Sequence, residues 1–114
     1  MDSDDINEFE SDASVGKIRF RVMQLENGTL LLISDSDKFR IGLSAVAIPP
    51  GQGRTEPTSA GFLTMGLDAA LVRTLAERIA AWTNKTCMLI ISVKGFNRAI
   101  MMELTSILKN HFLI

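Results

Sequence analysis

The amino-acid sequence predicts an α+β domain built on an antiparallel β-sheet, with two helices packed on one face of that sheet. Three observations support this fold class. The first half contains short stretches of alternating or continuous apolar residues, an Asn-Gly pair joins the first two, and two stretches with helical spacing follow. The predicted order is a β-hairpin, a third strand, a short strand, and then α-β-α.

The first predicted strand covers residues 17–26 and begins with strict alternation, which is typical of a half-buried strand. Its apolar face consists of Ile18, Phe20 and Val22, and its other face of Arg19, Arg21, Met23 and Leu25. Since the apolar residues then change parity, the strand either bulges near Gln24 or is covered on both faces towards its end. Asn27-Gly28 predicts the hairpin turn, because both residues tolerate positive φ. The four consecutive aliphatic residues within 29–33 predict a central strand covered on both faces.

The third predicted strand covers residues 39–48 and alternates again. Its apolar face consists of Phe39, Ile41, Leu43, Ala45 and Ala47, and its mixed face of Arg40, Gly42, Ser44, Val46 and Ile48. Pro49-Pro50-Gly51 ends this strand, and a loop rich in Pro, Gly and Thr continues to Ser59. A short extended piece over residues 60–64 is expected to return to the sheet.

Two helices and a further strand complete the prediction. The first helix begins at Met65 or Asp68 and ends at Trp82, because apolar residues recur there every three or four positions. Residues 86–93 are almost wholly apolar and predict a second central strand. Asn97 is the predicted cap of the last helix. The apolar stripe of that helix is Ile100, Leu104, Ile107, Leu108 and His111.

Charge divides the chain into two unlike parts. Residues 1–14 contain six acids and no Lys or Arg, for a charge of −6, whereas residues 15–114 contain all 12 basic groups and the other seven acids, for +5. We expect 1–14 to be a disordered acidic tail, because it has too little apolar surface to offset the entropy cost of ordering. We expect 15–114 to form a single domain. The tail would screen the arginine-bearing sheet face before a partner binds.

The sequence gives no pattern typical of an enzyme, a cofactor site or a metal site. Cys87, the single cysteine, is expected to be a buried small hydrophobe, and without a second cysteine the chain reads as intracellular. We place it in the cytoplasm, with the nucleus as a second compartment. His111, the single histidine, is expected at a helix end where carbonyls satisfy it. Gly51-Gln52-Gly53 lacks the other residues of a phosphate-binding loop.

Neither nucleic acid nor membrane is an expected partner. The basic residues are spread over every predicted element, and no aromatic residue is interleaved with a basic run as a stacking platform requires. The N-terminus is acidic where a signal peptide would be basic, and no apolar run approaches the ~20 residues that a membrane helix needs.

The candidate functional site is the sheet face that the helices leave uncovered. This face is half apolar and rimmed with arginine, which suits a protein interface better than bulk water; the alternative is a face that is merely amphipathic. The overall apolar content of 46 % also suggests that a partner covers some of the surface. The predicted interface residues are Arg19, Arg21, Met23, Leu25, Arg40, Ser44, Val46 and Ile48.

A distinctive run of residues links the first helix to the last strand. It consists of Leu75-Ala76, Arg78-Ile79-Ala80 and Thr83-Asn84-Lys85, followed by the apolar residues 87–93. This run resembles the Leu-Ala-x-Arg-Leu-Ala-x-x-Thr-Asn-Lys passage of the proteasome assembly chaperone 4 family. Phe20-x-Val22 and residues 30–33 resemble the first hairpin of that family, and residues 59–66 resemble its segment before the helix. The resemblance covers about residues 17–112; the acidic segment and the 49–57 loop have no counterpart in it.

The resemblance implies a non-catalytic chaperone. It would pair with a proteasome assembly chaperone 3-like subunit as a heterodimer, help α-type subunits assemble into the 20S proteasome ring, and leave before maturation is complete. It also implies a tight helix-to-strand connection at 83–85; we expect these residues to form a helix C-cap and turn, in which Asn84 tolerates positive φ, rather than to contact a partner directly. The ending Phe112-Leu113-Ile114 lacks the hydrophobic-Tyr-any-residue tail of other proteasome-docking chaperones, so docking through the C-terminus is not expected.

A second hypothesis is a roadblock- or longin-like interaction module that binds small GTPases or trafficking complexes. Such modules are also small α+β domains, but they usually begin with a helix before the first hairpin. This chain has an acidic segment at that position.

Overall fold

The structure is a computed structural model that describes residues 5–51, 58–62 and 67–113, with the backbone alone described at Phe62 and Leu67. The elements in chain order are β1 (Ile6–Ala13), β2 (Gly16–Leu25), β3 (Gly28–Ser34), β4 (Leu43–Ile48), β5 (Thr58–Phe62), α1 (Leu67–Thr83), β6 (Thr86–Ser92) and α2 (Arg98–Leu113). The expected glycine loop at 51–53, a helix start at Met65 and the end of the 60–64 strand fall wholly or partly outside the described residues.

The strands form one six-stranded sheet in the order β1-β2-β3-β6-β4-β5. Every neighbouring pair is antiparallel except β3 and β6, which run parallel. The predicted α+β class with a mostly antiparallel sheet is therefore confirmed. The parallel pair arises because β6 follows α1 and inserts between β3 and β4, two strands that are consecutive in the sequence.

The hydrophobic core lies between one face of the sheet and the two helices, as predicted. The buried strand residues on this face are Ile18, Phe20, Val22, Leu31, Ile33, Ala45, Ala47, Cys87, Leu89 and Ile91. The helices contribute Leu71, Val72, Leu75, Ala76, Ile79 and Ala80 from α1, and Ile100, Met101, Leu104 and Leu108 from α2. Full burial of such aliphatic side chains is the main source of stabilisation in a domain of this size. Asn97 caps α2 as predicted, because its Oδ1 accepts a 2.9 Å hydrogen bond from the Ile100 N–H.

The acidic N-terminal segment is an ordered strand, so the prediction of a disordered tail over 1–14 is wrong for residues 6–13; residues 1–4 lie outside the described part of the chain. Composition was misleading because it describes the segment without its neighbouring strand. The acids recur at every second position and lie opposite the bases of β2, in the register Glu8↔Arg21, Glu10↔Arg19 and Asp12↔Lys17. The segment is ordered because it pairs with β2 along its whole length, and the opposite charges match across the two strands.

Two further contacts hold β1 against the domain. The Phe9 ring stacks on Phe20 with centroids 4.7 Å apart and on His111 with centroids 4.2 Å apart. Directly after β1, Ser14 donates from its N–H (2.8 Å) and its Oγ (2.6 Å) to the Glu103 carboxylate. These hydrogen bonds lower the pKa of Glu103. His111 lies in the last turn of α2, at a helix end as predicted, and its ring forms part of this aromatic stack.

Strand β4 begins at Leu43 and not at residue 39. The preceding segment leaves the sheet: Ile41 is 80 % exposed, although it was expected in the core. Phe39, also expected in the core, lies on the other face of the sheet, with its ring 4.9 Å from the Arg21 guanidinium carbon. Asp35 holds the segment in this path, because its carboxylate accepts from the Lys94 N–H (2.8 Å) and from Arg40 (3.2 Å). The alternating pattern therefore continues through residues that form no strand.

The β2–β3 hairpin forms where Asn27-Gly28 predicts it, but the glycine is needed for another reason. Gly28 is already the first residue of β3, and positive φ occurs, among the described residues, at Gly16, Gly95 and Asn84. The value of 55° at Asn84 agrees with the tight helix-to-strand connection. A Cβ on Gly28 would lie 2.5 Å from the Thr86 carbonyl oxygen, so glycine permits the close approach of β3 and β6.

We expect Gly28→Ala to destabilise the fold by about 1–3 kcal/mol, because the added methyl group overlaps the backbone of β6. Urea unfolding followed by circular dichroism measures this change. The control is Asn27→Ala, at an exposed turn residue next to it, which should shift stability by no more than about 0.5 kcal/mol. Equal midpoints for the two variants would contradict the assigned role of the glycine.

We expect the aromatic stack to make stability depend on pH. Burial lowers the pKa of His111 below its ordinary value of 6.5, so the unfolded chain binds this proton more readily than the folded chain. The contribution of the neutral ring is therefore complete above about pH 6.5 and is lost as the pH falls below that value. His111→Phe keeps a ring on Phe9 and removes the titration.

The measurement compares urea midpoints of wild type and His111→Phe at about pH 7.5 and about pH 5. The variant should gain stability relative to wild type at the lower pH. Parallel pH profiles for the two proteins would show that the histidine does not titrate against folding.

Candidate protein interface

The candidate interface is the open face, by which we mean the side of the sheet opposite the two helices. Cross-strand neighbours form a row that crosses the sheet from edge to edge. The row consists of Ile6, Met23, Leu30, Met88, Val46 and Ala60. Beside it, Leu32 and Ile90 are paired on β3 and β6. We call these eight residues the apolar stripe.

The apolar stripe presents large side chains to the surface. Met88, at its centre on β6, is 39 % exposed, and Ile6 at the β1 edge is 36 % exposed. A depression of about 360 Å³ adjoins the stripe at β4 and β5, and it is lined by Val46, Ile48, Thr58, Ser59 and Ala60. Contiguous exposed apolar surface of this kind marks an interaction site in a folded domain.

The β1–β2 end of the open face is charged, but its charges are paired within the chain. Arg21 lies 3.2 Å from Glu8, and Arg19 lies 3.5 Å from Glu10, as measured between nitrogen and carboxylate oxygen. The Phe39 ring covers the Arg21 guanidinium as a cation–π contact. The predicted arginines thus lie at one end of the open face, and their charges are neutralised by acids of β1.

Most of the predicted interface residues share the open face. Strand parity places Arg19, Arg21, Met23 and Leu25 of β2 there, together with Ser44, Val46 and Ile48 of β4. Leu25 and Ile48, towards one end of these strands, are each 44 % exposed, whereas Ser44 is only 4 % exposed and donates from Oγ to the Gly42 carbonyl at 2.8 Å. Arg40 is the exception, because it precedes β4 and pairs with Asp35.

The sequence interpretation missed the middle of the apolar stripe. Leu30, Leu32, Met88 and Ile90 belong to the two strands that are apolar along almost their whole length. In such a strand every second side chain lies on the open face, but an unbroken apolar run does not show which members these are. The sequence did contain one indication of this, because an unbroken apolar run predicts a strand with apolar side chains on both faces.

The single cysteine lies away from the open face. Cys87 is completely buried on the helix side of β6, and burial raises the pKa of its thiol to about 12, so a thiolate is not present at neutral pH. No cluster of potential metal ligands occurs among the described residues, and no helix in that part of the chain is long and apolar enough to cross a membrane.

No protein-family model matches the sequence, and no curated protein matches it. A solved structure, the crystal structure of a chaperone complex for yeast 20S proteasome assembly, has a similar fold. The TM-score is 0.59, the sequence identity is 12 %, and the match covers 91 % of this chain and 88 % of the yeast chain. At this identity, the likeness shows that the two chains share a fold.

Proposed function

We propose that this protein is a non-catalytic chaperone that helps to assemble the α-ring of the 20S proteasome. The single observation that carries the proposal is the apolar stripe: a domain with a complete core on one side of its sheet exposes Met88 and its neighbours on the other. Such a surface suits a protein partner. The fold likeness to a yeast proteasome-assembly chaperone complex, and the Thr83-Asn84-Lys85 passage, both support this class of partner.

The first partner we propose is a second small chaperone, similar to proteasome assembly chaperone 3, bound as a heterodimer. Two sheets pack face to face about 10 Å apart when each presents a continuous apolar surface. The apolar stripe would form the centre of this contact. The paired charges of β1 and β2 would lie at its margin, which gives the usual arrangement of an apolar centre and a polar rim.

The second partner would be one or more α-type subunits, bound by the chaperone pair and released before the proteasome matures. This step rests on the resemblance in sequence and fold. A chaperone with this role works in the cytoplasm and the nucleus, where proteasomes assemble.

The experiment is affinity purification of the tagged full-length chain from its own cells, with mass spectrometry of the proteins that co-purify. Recovery of proteasome α-type subunits together with a second small chaperone supports the proposal. Recovery of small GTPases or trafficking subunits without proteasome subunits would instead favour a roadblock- or longin-like module and would overturn it.

Met88→Asp tests whether the apolar stripe binds the partner. A carboxylate buried at the centre of an interface costs several kcal/mol, so the affinity for the second chaperone should fall about a hundredfold or more. Met102→Asp is the matched control, because Met102 is 50 % exposed on α2, outside the open face. It should co-purify the same proteins as wild type.

Both variants should have urea midpoints close to that of wild type, since each substituted side chain is substantially exposed in the free chain. If folded Met88→Asp retains its partners, the interface lies elsewhere. If Met102→Asp loses them as well, the effect is not specific to the stripe.

A further inference from the structure

Strand β1 lies at the outer edge of the sheet, where it pairs with β2 along its whole length. Its side towards the helices carries Asn7, Phe9, Ser11 and Ala13, so Phe9 is the one large apolar group there. Segments with little buried apolar surface are the ones that open locally while the rest of the domain stays folded. β1 is therefore held only weakly through the core.

The opposite side of β1 is held by ion pairs that remain accessible to water. Glu8 lies 3.2 Å from Arg21, and Glu10 lies 3.5 Å from both Arg19 and Lys17. The side chains in these pairs are 31–61 % exposed. Exposed ion pairs contribute little to stability and are screened by salt. Ionic strength should thus loosen β1 without affecting the core.

The edge that β1 covers has a defined chemistry. Lys17, Arg19 and Arg21 project from one side of β2 at intervals of about 6.8 Å, which matches acids at alternate positions of an extended chain. On the other side, Phe20 and His111 form the surfaces on which an aromatic ring stacks. β1 meets both requirements through the sequence Glu8-Phe9-Glu10.

Among the described residues, the contacts with β1 leave one polar group of β2 without a hydrogen-bond partner. Within the described part of the chain, Nε of Arg21 is a buried donor without a hydrogen-bond partner. An unsatisfied buried donor carries a desolvation cost that a better-placed acceptor would remove. A different acidic segment has an interaction to gain that β1 does not make.

We propose that the outer edge of β2 is a binding site for an extended acid–aromatic–acid segment of another protein, and that β1 occupies the site until such a segment displaces it. The incoming segment adds to the sheet as a strand, so main-chain hydrogen bonds supply affinity and the alternating charges supply specificity. Because β1 is tethered, it competes at a high effective concentration, and the site opens only to a segment that binds better. This proposal does not depend on which protein covers the open face.

The probe is a fluorescent peptide that copies residues 5–14 of this chain, and binding to the full-length protein is followed by anisotropy. Phe9→Ala removes the stacked ring from β1 and frees the site, so the variant should bind the peptide about tenfold more tightly than wild type. Raising the salt concentration from about 50 to about 300 mM should weaken this binding. The control peptide carries Glu8→Lys and Glu10→Lys and should not bind.

Equal affinity of wild type and Phe9→Ala for the peptide would overturn the proposal. Equal binding of the control peptide would also overturn the proposal, because the site would then not distinguish acidic from basic residues. If Phe9→Ala does not fold, Ser14→Ala combined with Glu103→Gln loosens the other end of β1 and takes its place.

Hydrogen exchange on the wild-type chain provides an independent measurement. The amides of β1 should exchange faster than those of β3, and added salt should accelerate exchange in β1 alone. Equal protection of β1 and β3 at both salt concentrations would show that β1 is a permanent part of the sheet.

Discussion

The position of β6 is the constraint on which the rest of the structure depends. It lies between β3 and β4, and so joins the β1-β2-β3 unit to the β4-β5 hairpin in one sheet. Its helix-side residues, including Leu89, are buried in the core, while Met88 and Ile90 lie in the apolar stripe. One seven-residue strand therefore supplies the centre of both the core and the candidate interface. The absence of a side chain at Gly28 is what lets β3 approach it closely enough.

The small net charge of −1 conceals a strict internal arrangement. The acids of β1 lie opposite the bases of β2, so the two strands neutralise one another at one end of the open face. The apolar stripe occupies much of the remainder. This face therefore exerts little long-range electrostatic attraction, which would need unpaired charge of one sign.

Sequence periodicity predicted the elements whose burial follows from their own residues. It failed for segments whose structure depends on a neighbouring strand. α1 was expected to end at Trp82 and ends at Thr83, because its apolar spacing reports one buried face directly. β1 was missed, since it forms by pairing with β2, which follows it in the sequence. The alternation before Leu43 misled for the opposite reason, as Phe39 and Ile41 fit a strand pattern but precede the first residue of β4. The open face itself was predictable from the parity of Arg19 to Met23, whereas its apolar centre required the register of β3 and β6.

The layer arrangement explains why a partner of similar fold would suit this chain. A sheet with helices on one side only is complete when its other side is polar, yet here the central strands are apolar on both sides. Within the described residues, the helices of this chain do not cover that other side. A second twisted sheet fits such a surface well, because two sheets with the same hand of twist pack at a small angle with their apolar rows in contact. In that arrangement β1 stays at the margin, in contact with water. Its ion pairs there remain sensitive to salt, and another segment can still replace it beside β2.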